Sequence, residues 1–141
     1  MRCSFLVLGI AAVLSPALAQ AEGGSVQVTI TNVRDSVGVV HVELCPESLW
    51  LKSCKIAAEA PAKQGTTVVT IPNVPPGRYG AVAFHDRNRN GKADRNFFGM
   101  PTEDVGFSND ALKRLAPPKF SDAAFDHDQH DQQISFRMKR F

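Results

Sequence analysis

The sequence predicts an all-β protein, a seven-stranded antiparallel sandwich of the immunoglobulin-like or prealbumin-like kind with a long loop region. Three observations predict this class. Short segments alternate apolar with polar residues or are rich in β-branched residues, turn-forming residues separate them, and no long amphipathic helix is evident. After a signal peptide at residues 1–19, residues 20–141 have a length typical of one domain.

The first 19 residues have the order of parts found in a secretory signal. Arg2 supplies the positive charge, an apolar run covers residues 5–14, and residues 17–19 (ALA) form a small-x-small cleavage site. The run is shorter than the roughly 20 apolar residues that span a bilayer, and no second apolar run follows. We therefore expect cleavage after Ala19, no transmembrane segment, and a periplasmic or secreted protein.

Alternation and β-branching predict the strands. They are expected at residues 25–33, 39–45, 66–71, 78–85 and 133–139, with an extended edge segment at 55–62. The first two strands are predicted to form a hairpin across residues 34–38, with His41 and Glu43 facing water. The strand at 78–85 is apolar on both faces and is predicted to be central. The region from 86 to 131 is predicted to be rich in loops.

The mature chain keeps two cysteines, Cys45 and Cys54. In an oxidising compartment this pair is expected to form one structural disulfide, worth about 2–3 kcal/mol for a loop of this length. A redox or metal site is the alternative, although redox pairs have a closer Cys-x-x-Cys spacing. The tethered loop carries Trp50, which is predicted to pack on one end of the core rather than stack on a ligand.

A calcium-loop pattern spans residues 86–94, in the order D-x-N-x-N-G-x-x-D. Ca²⁺ prefers oxygen ligands, and side chains at alternate positions converge on an ion only if the backbone curls, which Gly91 permits. The predicted ligands are the side chains of Asp86, Asn88, Asn90 and Asp94 and the backbone carbonyl of Lys92.

This pattern departs from a complete calcium loop at its twelfth position, where Phe97 replaces the usual glutamate. Either Glu103 or Asp104 folds back to complete the site or water does so, and the affinity is expected to lie near 10⁻⁴–10⁻³ M, roughly that of extracellular modules. The alternative interpretation is a polar turn rich in Asp and Asn that binds no ion. Both interpretations remain open from the sequence.

A second polar cluster, residues 126–131 (DHDQHD), carries His127 and His130. Two histidines beside carboxylates suit Zn²⁺ or Ni²⁺, but the simpler interpretation is a solvated turn before the last strand. The sequence has no nucleophile elbow, zinc-protease motif or phosphate loop. An enzymatic function, hydrolase-like, would use His85 and Asp86 or the pair His127 and His130.

Seven blocks of residues resemble a family of small secreted bacterial proteins, the domain of unknown function 2141. They are 75–79 (PPGRY), 81–86 (AVAFHD), 88–94 (NRNGKAD), 96–101 (NFFGMP), 106–109 (GFSN), 117–120 (PPKF) and 122–125 (DAAF). The first block is also similar to transthyretin-like and other prealbumin-type modules. The resemblance implies an exported protein with a sandwich fold and assigns no activity.

The sequence thus predicts an exported binding or structural module for an extracytoplasmic protein or glycan. A net charge of +2 over 141 residues gives no electrostatic case for nucleic acid or an anionic membrane. The presented surface is expected to contain Gly99, Phe107, Asn109 and residues 117–120 (PPKF).

Overall fold

A computed structural model describes residues 12–15, 23–95, 100–113 and 116–140. The predicted signal peptide and its cleavage site lie outside these residues, apart from residues 12–15. Within the described part of the chain, no helix combines the length and apolar character needed to cross a membrane.

The described residues form eight strands, one α-helical turn and two 3-10 turns, Glu47–Leu49 and Ser108–Asp110. The strands are β1 (Gly24–Val33), β2 (Val39–Cys45), β3 (Ile56–Pro61), β4 (Gly65–Val74), β5 (Gly77–Asp86), β6 (Val105–Phe107), β7 (Ala124–His127) and β8 (Gln132–Arg137), and the helical turn is α1 (Phe120–Ala123). Two of these strands, β6 and β7, lie in the region predicted to be rich in loops.

Two sheets form a sandwich. The three-stranded sheet has the order β4-β1-β8, and the five-stranded sheet has the order β3-β2-β5-β6. The fifth strand of the second sheet, β7, pairs with the first half of β5, whereas β6 pairs with its second half. The predicted all-β sandwich is confirmed. The described residues contain eight strands rather than the predicted seven, and β8 lies parallel to β1 whereas their other strand pairs are antiparallel.

The predicted N-terminal hairpin is wrong. β1 pairs with β4 and β8, whereas β2 pairs with β3 and β5, so the turn at residues 34–38 crosses from one sheet to the other. Val28 and Val42 are both fully buried in the core between the sheets. Alternation indicates which face of a strand is buried, and two consecutive strands can satisfy it equally well across a sandwich or side by side.

The strand β5 carries apolar residues on both faces, and this property positions the candidate site. The inner face of the five-stranded sheet contributes to the main core between the sheets. A second apolar cluster covers the outer face and contains Phe84, Val105, Phe107, Ala111, Leu112 and Ala123, with Trp50, Val82 and Ala93 packed against it. As predicted, β5 is central and residues 55–62 contain an edge strand, β3.

Candidate functional site

A groove of about 510 Å³ lies on the outer face of the five-stranded sheet. Its floor is formed by Val82 and Phe84 of β5 and by Val105 and Phe107 of β6. Residues of three loops form the walls: Leu51, Lys52, Ser53, Gly91, Lys92, Ala93, Arg95, Met100, Pro101, Leu112, Ala116 and Pro117, with Glu43 of β2 beside them. The lining is predominantly apolar.

The strand β5 explains why a groove forms here. Tyr79, Ala81 and Ala83 point into the main core, so the alternate residues Val82 and Phe84 point outward. An apolar outer face has to be covered, and the long connections around it cover it only in part. The doubly apolar pattern of residues 78–85, which predicts a central strand, is therefore also the sequence signal for the groove.

The first wall is held by a disulfide and by Trp50. Cys45 and Cys54 are bonded, with an S–S distance of 2.06 Å, as predicted. The Trp50 ring packs edge-on against Phe107 and Phe120, and its Nε1 donates a hydrogen bond of 2.9 Å to the Pro118 carbonyl. Trp50 therefore packs on protein, as predicted, although on the outer cluster rather than an end of the main core.

The disulfide argues against a metal site at Cys45 and Cys54. Glu43, Cys45 and Cys54 offer three ligand atoms within 4.8 Å of one another. Bonded sulfurs are not thiolates, the form of cysteine that binds metal ions. The arrangement in the structure is that of a structural disulfide.

Three cationic residues contribute to the groove lining. Lys52 lies on the first wall, and Lys92 and Arg95 lie on the wall contributed by the 86–94 loop and the residues after it; all three are exposed. Backbone contacts hold the two ends of the segment from Asp94 to Thr102 together. Arg95 pairs with Pro101, and Thr102 N donates a hydrogen bond of 2.9 Å to the Asp94 carbonyl. Neither Lys52 nor Arg95 was singled out by the sequence.

Glu43 is the acidic residue of the groove lining, and it already has partners. Its Oε1 lies 3.3 Å from His41 Nε2, and its Oε2 accepts a hydrogen bond of 3.2 Å from the Cys54 N–H. The hydrogen bond to Glu43, with a further contribution from Glu59 on β3, raises the pKa of His41. His41 and Glu43 are half-buried rather than water-facing.

The predicted calcium loop curls as its pattern requires. Gly91 has a φ of +73°, and both Asp86 carboxylate oxygens accept backbone N–H groups, from Asn90 at 3.1 Å and from Gly91 at 2.8 Å. The Asn88 and Asn90 side-chain amides donate to Asp94 at 2.7 Å each. The loop is thus an internally hydrogen-bonded turn.

Of the two acidic residues proposed to complete the loop, Glu103 folds back. Its carboxylate accepts hydrogen bonds from the N–H groups of Arg87 at 3.2 Å and Asp94 at 3.3 Å. Burial, with the neighbouring carboxylates of Asp94 and Asp86, raises the pKa of Glu103 above its ordinary value. Among the described residues, no three carboxylates of this loop have oxygen atoms that all lie within 4.8 Å of one another.

Asp104 has a different role from Glu103. It is 4 % exposed, and its carboxylate pairs with Arg34 at 2.8 Å and Arg140 at 3.2 Å. Arg87, which lies between the predicted calcium ligands, pairs with Asp35 at 3.0 Å. Asp104 therefore ties the segment before β6 to the residues after β1 and β8.

The histidines proposed for an enzymatic site lie at opposite ends of β5. His85 is fully buried, with Nε2 2.7 Å from the Val37 carbonyl, and it points to the face opposite Asp86. His127 is paired beside Gly77 and contacts Gln132 Oε1 at 2.7 Å, whereas exposed His130 pairs with Asp128 at 3.1 Å. His85 and Asp86 thus point away from each other, and buried His127 and exposed His130 bond to different side chains.

The residues predicted to form a presented surface are distributed among several locations. Phe107 lies in the groove floor and Pro117 in its wall. Asn109 is exposed, whereas Pro118 and Phe120 are buried. Gly99 lies outside the described residues.

Comparison with known proteins gives one match. The family model described as "Uncharacterized protein conserved in bacteria (DUF2141)" matches residues 28–135, which include β2 to β7 and most of β1 and β8. No curated protein and no solved structure matches the chain. The chain belongs to the DUF2141 family of uncharacterised bacterial proteins.

Proposed function

We propose that the mature protein is an exported binding module whose ligand occupies the groove on the outer face of the five-stranded sheet. The observation that carries this proposal is an apolar concavity of about 510 Å³ built on two paired strands. Ligand sites are concave, mainly apolar and of this volume, with a few polar groups that orient the ligand.

The sequence leaves two ligand classes open, an extracytoplasmic protein and a glycan. The floor residues Val82, Phe84, Val105 and Phe107 favour an apolar ligand, either a small molecule or an apolar segment of a protein. Glycan recognition would need many polar groups at the floor, because each sugar hydroxyl removed from water has to be hydrogen-bonded. The apolar lining is therefore evidence against the glycan.

Export is part of the same proposal. The order of charge, apolar run and cleavage site in residues 1–19 supports it, and so does the Cys45–Cys54 disulfide, because such bonds persist in oxidising compartments. Amino-terminal sequencing of the protein recovered from periplasm and medium is the direct test, with a mature chain starting at Gln20 expected.

Binding of a neutral apolar dye tests the groove. We expect N-phenyl-1-naphthylamine to fluoresce on binding the mature protein, and Val82→Glu to abolish the signal by placing a charge in the floor. Val68→Glu is the matched control, since Val68 is 45 % exposed on β4 of the other sheet. Should Val82→Glu fail to fold, Leu51→Glu replaces it, because Leu51 is 47 % exposed in the groove wall. No dye binding, or equal binding by groove and control variants, would contradict the proposal.

We further propose that the 86–94 loop binds Ca²⁺ weakly and that the ion stiffens one groove wall. Support comes from Glu103, which supplies a third carboxylate to the loop, and from its pKa, which burial and then the neighbouring carboxylates of Asp94 and Asp86 raise. A divalent cation would offset the repulsion among these carboxylates. Ion binding would require Asn88 and Asn90 to turn their amide oxygens toward the ion, replacing their present bonds to Asp94.

Thermal unfolding of the mature protein in EDTA, 5 mM CaCl₂ and 5 mM MgCl₂ tests calcium binding. A dissociation constant of about 0.1–1 mM predicts stabilisation of about 1–2 kcal/mol. The melting temperature should then rise by roughly 3–12 °C. The rise should be selective for Ca²⁺, absent in Asp94→Asn, and retained in Asp126→Asn, which changes an exposed carboxylate outside the loop. Equal melting in all three solutions would leave the loop as a polar turn.

A further inference from the structure

We propose that the ligand of the groove is a free amphiphile with one apolar chain and an anionic head, of the class of long-chain carboxylates. This inference rests on the proposed function, because it names the ligand of the same groove. The observation that supports it is the presence of cationic residues in the lining of a groove whose floor is apolar.

Positive charge lies on two of the loops that line the groove. Lys52 belongs to the disulfide-tethered loop, while Lys92 and Arg95 belong to the 86–94 loop and the residue after it. Within the described part of the chain, neither lysine ammonium has a hydrogen bond or an ion pair. Two ammonium groups are therefore available to an anionic head bound in the groove.

The acidic residue of the lining does not cancel this charge. Glu43 is bound by the Cys54 N–H and by His41, whose raised pKa favours the cationic form of the ring. Both carboxylate oxygens of Glu43 thus already have partners, and the exposed charged residues of the lining, Lys52, Lys92 and Arg95, are cationic. This sign favours an anionic ligand and opposes a cationic one.

The geometry of lysine suits an amphiphile. A lysine side chain can lay its methylene stem along an apolar surface while its ammonium stays at the water boundary. Lys52 and Lys92 are exposed and line the same groove as buried Phe107 and Phe84. A ligand chain would pack on the aromatic floor while its head group meets the two ammonium groups at the rim.

Size and shape favour a single free molecule over a bilayer. A concavity of about 510 Å³ is in the range that encloses a small ligand. Attraction to an anionic membrane takes clusters of four to eight basic residues, roughly, and the groove lining has three.

Three ligands that share a twelve-carbon chain test the head group: dodecanoate, dodecanol and dodecyltrimethylammonium, each below its micelle concentration. We expect dodecanoate to displace N-phenyl-1-naphthylamine at about tenfold lower concentration than the other two. The double variant Lys52→Gln/Lys92→Gln should lose this tenfold preference and still bind dodecanol. Lys55→Gln/Lys63→Gln is the matched control, because both lysines are exposed and outside the groove lining.

The outcomes separate this inference from the proposed function. Equal displacement by all three ligands would overturn the anionic head and leave the groove as an apolar site. Unchanged dodecanoate affinity in Lys52→Gln/Lys92→Gln would overturn the role of the lysines. Sedimentation with anionic vesicles, unaffected by dodecanoate, would overturn the free amphiphile in favour of a lipid surface. Failure of the dye itself to bind would contradict the proposed function as well.

Discussion

At the scale of single residues, the contact between Trp50 and Gly80 fixes the position of the first groove wall. A Cβ atom at Gly80 would lie 2.4 Å from Trp50 Cζ3, far inside van der Waals contact. Glycine is thus needed at this position of β5 because the indole ring occupies the space above it. Trp50 is also the single tryptophan of the chain, so its fluorescence reports on this wall.

Gly80→Ala is expected to displace the ring and break its hydrogen bond to Pro118. Such overpacking should lower the free energy of unfolding by about 1–3 kcal/mol and shift the tryptophan emission to longer wavelength. Urea unfolding monitored by fluorescence measures both effects. Gly77→Ala, where a Cβ would meet the Tyr79 ring at 3.3 Å, is the matched control. Equal stability and emission of the two variants would contradict the packing of Trp50 on β5.

His41 is expected to make stability depend on pH. Hydrogen bonding to Glu43 raises its pKa in the folded protein, so the stabilisation is fully present below the unfolded pKa of about 6.5. It is lost as the pH rises through the higher folded pKa. Urea unfolding between pH 5 and pH 9 should show a decline in stability that is shallower in His41→Gln and unchanged in His130→Gln, an exposed control. Parallel profiles for the wild type and His41→Gln would refute this coupling.

At the scale of elements, the disulfide holds the loop between β2 and β3. The double variant Cys45→Ala/Cys54→Ala should unfold with a free energy lower by about 2–3 kcal/mol, because the unfolded chain gains the freedom of the opened loop. The loop carries Leu51, Lys52 and Ser53 of the groove wall, so the affinity for N-phenyl-1-naphthylamine should fall as well. Chemical unfolding and dye titration measure the two effects. An unchanged stability would mean that the loop is held by Trp50 packing alone.

The strands show which features of the fold can be predicted from the sequence and which cannot. β-Branched residues alternating in residues 25–33 and 39–45 predict the buried faces of β1 and β2, because side chains alternate between the faces of any strand. Their partners could not be predicted, since pairing depends on residues distant in the chain; β1, for example, lies between β4 and β8. The four residues of β7 gave no detectable alternation, and the strand exists because β5 offers an unpaired edge beside β6.

At the scale of the whole molecule, the groove joins parts of the chain that no local pattern connects. Its walls come from residues near 52, 92 and 112, and its floor comes from β5 and β6. The sequence identified the 86–94 loop by its spacing and Phe107 as a functional candidate. It could not identify Lys52 and Arg95, because an exposed cation has no distinguishing sequence signal until the fold places it beside an apolar surface.

The central claim is that the groove on the outer face of the five-stranded sheet is the ligand site. Its most direct test is an NMR titration of the ¹⁵N-labelled mature protein with N-phenyl-1-naphthylamine. We predict that the largest amide shift changes occur at Val82, Phe84, Val105 and Phe107, and that residues 66–70 of β4 remain unchanged. Shift changes concentrated on the three-stranded sheet, or none at saturating dye, would contradict the claim.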